Sequence, residues 1–96
     1  MSNIKLAVVG ATGLVGQTVI KILEEKNLPI SEYAFFASNK SAGKAINLLG
    51  RTYVVQELDL SSFDSGFDFA FFCAGGNVSK EFAPIAVSKG CTVIDN

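Results

Sequence analysis

A short apolar run, Ile4 to Val9, is followed at once by glycines at positions 10, 13 and 16 and then by a segment with helical periodicity. The run is uninterrupted except at Lys5, which implies burial on both faces, as in a parallel sheet. The predicted helix spans Leu14 to Lys26. Val15, Val19, Ile22 and Leu23 share one face, and Lys21, Glu24 and Glu25 lie mainly on the other. Asn27 and Pro29 mark its end. Tyr33 to Ala37 reads as a second apolar strand. Strand, helix and strand make one βαβ unit, for which a right-handed crossover is expected.

The rest of the chain continues the alternation. Ser38 to Lys44 is a polar loop leaving the carboxyl end of the second strand. Ala45 to Leu49 and Thr52 to Leu58 read as a hairpin turning at Gly50, beside the sheet or continuing one edge. Asp59 to Gly66 is a polar connection with room for a short helical turn. Phe67 to Cys73 is the next strand. Asn77 or Ser79 is the expected cap of a helix running to about Ser88, with Pro84 inside it, removing one backbone donor near the first turn and making the start irregular. Gly90 ends that helix, and Thr92 to Asp95 is a further strand. The fold class expected is α/β: a partial doubly wound, Rossmann-type parallel sheet of βαβ units with an inserted hairpin. Residues 1–96 form one domain. A complete doubly wound fold has two βαβαβ halves, so the expectation is the N-terminal part of a longer enzyme.

Composition narrows the function. An apolar share of 49% marks a chain that folds, and a net charge of −1 gives no general attraction to nucleic acid or acidic membranes. The basic residues are scattered, and no apolar run nears the roughly 20 residues of a membrane span. The first residues lead straight into a strand, so no signal peptide is expected. Two cysteines without paired spacing point to reduced thiols and a cytoplasmic protein. There is no histidine, which excludes a histidine base or metal ligand within the chain. The acidic residues form no cluster, so no metal site is expected.

A glycine turn at a helix start offers backbone N–H donors and the positive end of a helix dipole to an anion. The donors expected are those of Thr12, Gly13, Leu14 and Val15, with the Thr12 hydroxyl added. Gly10 makes the turn, and Gly16 lets the helix pack close to a strand. The competing reading is a tight turn that binds nothing. The spacing is Gly-x-x-Gly-x-x-Gly, without the Gly-Lys-Ser/Thr of a triphosphate loop. No Asp or Glu occurs between Tyr33 and Gln56; Ser38, Lys40 and Ser41 stand where a dinucleotide's adenosine ribose is held. An acid there would favour the 2′-hydroxyl of NAD, whereas hydroxyls and a cation favour the 2′-phosphate of NADP. An ordinary solvated loop is the alternative. Cys73, Ala74 and Gly75 end a strand at the edge where such sheets bind ligands, as a dinucleotide path or a plain strand-to-helix turn. Cys73 and Cys91 read as structural, with no nearby base.

With these segments in view, the sequence resembles the N-terminal region of aspartate-semialdehyde dehydrogenases. Val9 to Gly16 is similar to the family's cofactor turn, and Ala37 to Lys44 to its 2′-phosphate loop. Phe72 to Gly76 with Ser79 to Pro84, and Val93 to Asn96, are similar to two later segments. The resemblance implies that Gly10 to Val15 bind the pyrophosphate and that Ser38, Lys40 and Ser41 hold the 2′-phosphate. The family usually has arginine where Lys40 stands; lysine keeps the charge but loses the planar fork. Cys73, Ala74 and Gly75 would line the dinucleotide path, and Asn96 would approach the nicotinamide. The complete enzyme would reduce aspartyl phosphate to aspartate semialdehyde with NADPH, towards lysine, methionine and threonine, as a homodimer or homotetramer. Its catalytic cysteine and histidine would lie beyond this chain, which alone is expected to be inactive. An N-acetyl-glutamyl-phosphate reductase relative and a non-catalytic NADP-binding module are the alternatives.

Overall fold

The computed structural model describes residues 4–26 and 28–95; the readings placed on Asn27 and Asn96 lie outside them. Its centre is β1 (Ile4–Val9), in which Leu6 to Val9 are all buried. β1 pairs in parallel with β2 (Ile30–Ala37) on one side and β6 (Phe69–Phe72) on the other. β5 (Gln56–Glu57) joins β2 and β7 (Thr92–Asp95) joins β6, which gives the order β5-β2-β1-β6-β7. Parallel pairing on both sides explains why β1 shows no alternation. β2 starts earlier than predicted, because Ile4 and Lys5 of β1 pair with Ile30 and Glu32. β6 is shorter than predicted. At its start the Asp68 side chain takes a ladder position, accepting from Lys5 N–H at 2.8 Å.

Successive β1 side chains feed two cores. Leu6 and Val8 join Leu23, Tyr33, Phe35, Leu48 and Val55 on one face. Ala7 and Val9 join Phe36, Phe63, Phe67, Phe72, Ala86 and Cys91 on the other. Helix α1 (Leu14–Lys26) and the hairpin cover the first face, and α2 (Gly76–Ser88) covers the second, as a doubly wound sheet requires. The buried stripe of α1 is rotated from the predicted one. Gly16 and Leu23 are buried with Val19 and Ile20 against the core, while Val15 and Ile22 are 38% and 46% exposed. The cause is Gly16, whose bare backbone rests on the turn at Gly10 and Ala11 and fixes the helix rotation.

The hairpin is β3 (Ala45–Leu48) and β4 (Arg51–Val54), antiparallel. Leu49 and Gly50 both have positive φ, 51° and 79°, the pattern of a primed hairpin turn. The predicted second arm, Thr52 to Leu58, is two elements. Buried Val55 donates its N–H to Lys44 O at 2.8 Å and closes the hairpin, after which β5 departs to the sheet edge. The hairpin lies over β2, with Tyr53 5.3 Å from Phe35 and 5.9 Å from Tyr33 between ring centres, edge to face in both. The Tyr33 hydroxyl beneath it is buried without a hydrogen-bond partner. Burial, then the neighbouring Tyr53, pushes its ionisation above the ordinary range. Removing an unsatisfied polar group relieves a desolvation cost. Tyr33→Phe is therefore expected to keep or raise stability by about 1 kcal/mol, read as an equal or higher urea midpoint.

Residues 60–65 form turns rather than a helix and carry Phe63 into the core. Helix α2 starts at Gly76 after a Gly75 cap with φ 92° and no side-chain capping bond, so neither Asn77 nor Ser79 caps it. Ser79 lies inside the first turn, its N–H donating to Gly75 O and its hydroxyl to Asp95 Oδ1. Pro84 lies inside the helix as expected, but beyond the first turn, so the donor it removes is the one Lys80 O would use and not one at the helix start. Gly90, at φ 86°, carries the chain out of the helix as expected. No helix among the described residues is long and apolar enough to cross a membrane.

Candidate cofactor site

The site forms where β1, β2 and β6 end. At the end of β1, the N–H groups of Gly10 and Ala11 both donate to Phe36 O, at 2.8 and 3.1 Å, tying the turn to β2. Gly10 has φ 82°, and a Cβ there would come within 2.7–2.9 Å of Ala74. The turns after β1 and β6 therefore touch through a glycine. Gly16 packs on the turn itself and not, as expected, on a strand: a Cβ would run into Gly10 O and lie 2.8 Å from Ala11 backbone atoms.

Gly13 differs from both. Its φ is outside the left-handed region, and a Cβ would meet only Gly10 O at 3.6 Å. Neither conformation nor packing requires glycine at this exposed position, so the space above it is free for a ligand. Gln17 N–H donates to Gly13 O at 2.9 Å and opens the helix. Leu14 and Val15 precede that bond, so their amides have no acceptor within the helix. Their side chains point out, with Leu14 85% exposed. The Gly13 amide, expected as a donor, is turned inward to Gly10 O at 3.2 Å.

The loop after β2 is folded on itself. Ser41 and Ala42 N–H groups both donate to Ser38 O, and Gly43 N–H donates to Val55 O of the hairpin. One bond joins this loop to the glycine turn: Thr12 Oγ1 donates to Ser41 Oγ at 3.0 Å. Gln17 Nε2 steadies the same residue through Thr12 O at 2.9 Å. Ser38 and Lys40 are exposed and Ser41 is half-buried. The ion pairs among the described residues are Lys5–Glu32 and Lys89–Asp64, so Lys40 has no contact carboxylate.

A cleft of 520 Å³ runs along these strand ends. Of the predicted residues it is lined by Gly10, Thr12, Gly13, Ser38, Cys73 and Ala74. Lys40, Ser41, Leu14, Val15 and Gly75 stand outside its wall, and Asn96 lies outside the described residues. Leu58, Val78 and Phe82 line it without having been anticipated. Val78 and Phe82 carried a readable signal, an apolar i, i+4 pair on the helix after Gly75-Gly76. Leu58 carried none, because its place depends on β5 pairing with β2. Among the described residues, no Asp or Glu lines the cleft. The cleft itself offers the Thr12 and Ser38 hydroxyls over an apolar floor, and the free amides of Leu14 and Val15 and the Lys40 ammonium lie beyond its wall; together these groups suit an anionic dinucleotide. Burial, and next the charge of Asp95, pushes the Cys73 thiol up, and burial with Asp68 does so for Cys91. Both are poor nucleophiles at neutral pH.

The family model for the semialdehyde dehydrogenase NAD-binding domain matches residues 5–96. The chain belongs to this family. It is an NAD(P)-binding domain of the semialdehyde dehydrogenases. Aspartate-semialdehyde dehydrogenase of Legionella pneumophila is 48% identical over 95 residues, 98% of this chain and 27% of the relative. Among solved structures, aspartate semialdehyde dehydrogenase II of Vibrio cholerae, complexed with ASA, matches with a TM-score of 0.89 at 39% identity, over 99% of this chain and 31% of the other. The Candida albicans aspartate semialdehyde dehydrogenase with NADP matches at 0.77 and 29% identity, over 99% and 30%. The semialdehyde dehydrogenase domain described here thus spans about a quarter of the length of the curated relatives it matches, 27%.

Proposed function

We propose that the chain is the NADP-binding part of an aspartate-semialdehyde dehydrogenase. The whole enzyme reduces aspartyl phosphate to aspartate semialdehyde and releases phosphate, as a homodimer or homotetramer in the cytoplasm. When bound, the cofactor supplies the hydride. The chain's own residues bind and orient it. The amides of Leu14 and Val15, on the turn made by Gly10 and Gly13, take the pyrophosphate, and the Thr12 hydroxyl joins them by turning its one proton from Ser41 Oγ to the ligand. Ser38, Lys40 and Ser41 take the 2′-phosphate. Cys73, Ala74 and Gly75 let the dinucleotide run close to the backbone, and Asn96 approaches the nicotinamide.

The observation that carries this reading is the Thr12–Ser41 hydrogen bond. It joins the pyrophosphate turn to a loop with hydroxyls, an ammonium and no carboxylate, so that two phosphates of one ligand meet one continuous set of donors. The NADP relative from Candida albicans supports the same choice. Titration of NADP and NAD into the wild type and Lys40→Ala tests it. A charge-assisted bond is worth about 1.5–3 kcal/mol, so the variant is expected to lose roughly tenfold in the NADP/NAD affinity ratio, with NAD binding nearly unchanged. An unaltered ratio overturns the 2′-phosphate assignment.

A further inference from the structure

The candidate binding segments leave the sheet in a fixed spatial order. Ser38 follows β2, Gly10 follows β1, and Cys73 to Gly75 follow β6, with β7 next in the row. A dinucleotide with its 2′-phosphate at Ser38 and its pyrophosphate on the Gly10 turn has only the β6–β7 side left for its nicotinamide ring. The residue that ends β7 is Asp95, in register with Phe72 and so beside Cys73. The carboxylate is held in place. Ser79 Oγ donates to Asp95 Oδ1 at 3.1 Å, and Ser79, 7% exposed, is the polar residue buried in the core. Asp95 is in neither contact ion pair among the described residues, although Lys80 lines the same groove between α2 and β7. The Cys73 thiol, which lines the cleft, already feels the Asp95 charge.

We propose that Asp95, positioned by Ser79, sets the preference of this site for oxidised over reduced cofactor. The nicotinamide ring is cationic when oxidised and neutral when reduced, so a fixed carboxylate near it favours the oxidised form. The inference rests on the dinucleotide reading of the preceding subsection.

The test is binding of NADP+ and of NADPH, separately, to the purified chain. Asp95→Asn keeps the shape and the acceptor for Ser79 while removing the charge. It is expected to weaken NADP+ binding roughly threefold to tenfold, as for one unit charge at several ångströms in a partly aqueous site, and NADPH binding by less than about twofold. Asp95→Glu retains the wild-type ratio. In the wild type, raising the ionic strength narrows the difference between the two cofactors, because an exposed charge is screened. An unchanged NADP+/NADPH ratio in a folded Asp95→Asn overturns the proposal. Should that variant fail to fold, a salt-independent ratio in the wild type overturns it instead. A wild type that binds neither cofactor overturns the dinucleotide reading itself, and this inference with it.

Discussion

Gly10→Ala is expected to lower stability by about 2–5 kcal/mol, from left-handed strain and overpacking together. The φ of 82° suits glycine alone, and the added methyl would sit 2.7–2.9 Å from the Cβ, Cα and N of Ala74. Two of those atoms are backbone, so the β6–α2 turn has to move with the β1–α1 turn. For a domain of this size the melting temperature falls on the order of 20 °C, measurable by circular dichroism. Gly13→Ala is the matched comparison. Its methyl would lie in ordinary contact with Gly10 O at 3.6 Å, at an acceptable φ. It should melt within about 0.5 kcal/mol of wild type, as surface substitutions usually do, while dinucleotide affinity drops. A Gly10→Ala chain that melts like wild type would show that the two turns do not depend on each other. A Gly13→Ala chain with wild-type affinity would show that no ligand needs the space above it.

Phe63→Ala is expected to cost about 3–5 kcal/mol, the usual range for removing a buried phenylalanine. Phe63 is fully buried although it belongs to a turn segment between polar residues. Its ring centre lies 6.0 Å from that of Phe36, 6.0 Å from Phe72 and 6.3 Å from Phe67. One side chain thereby connects β2, β6 and the residue leading into β6 beneath α2. Domains are stable by about 5–15 kcal/mol in total, so this change removes a large share. The urea midpoint should fall steeply, whereas Leu60→Ala, at a 67% exposed position of the same segment, should barely move it. A loss below about 1 kcal/mol for Phe63→Ala would mean that the segment can collapse into the space left behind.

The contrast between these positions shows what a sequence exposes. β1, β2 and β6 are legible because a strand buried in a parallel sheet becomes a nearly continuous apolar run, β7 is legible as a short β-branched segment after Gly90 although it is a mostly exposed edge strand, and glycine marks the hairpin turn at Gly50. The burial of Phe63 is not legible, since Asp59, Ser61 and Ser62 around it read as loop. Asp59 answers that polarity locally: hydrogen bonds from Ser61 and Ser62 hold its carboxyl below the ordinary range. The break between β4 and β5 has no glycine or proline to announce it; Val55 is fixed there by Lys44 of the other arm. Asn77 and Ser79 read as caps because Asn and Ser ordinarily cap helices, but α2 starts at Gly76 and the Ser79 hydroxyl is committed to Asp95, sixteen residues away. The site followed the same rule. Its turn, its loop and Cys73-Ala74 each follow the carboxyl end of a readable strand, whereas Leu58 reaches the cleft through a pairing between distant segments.

The place of β1 between β2 and β6 also has a kinetic consequence. β2 reaches β1 after one helix, but β6 pairs with it only across the whole stretch between them, as the Lys5–Asp68 bond, 63 positions apart, illustrates. On a ribosome, the β1–α1–β2 unit therefore emerges with one side of its innermost strand bare. For that interval the amides and carbonyls facing the future β6 are open to water or to a strand of another nascent chain. Closing so long a loop, rather than winding either helix, sets the pace at which the domain completes itself.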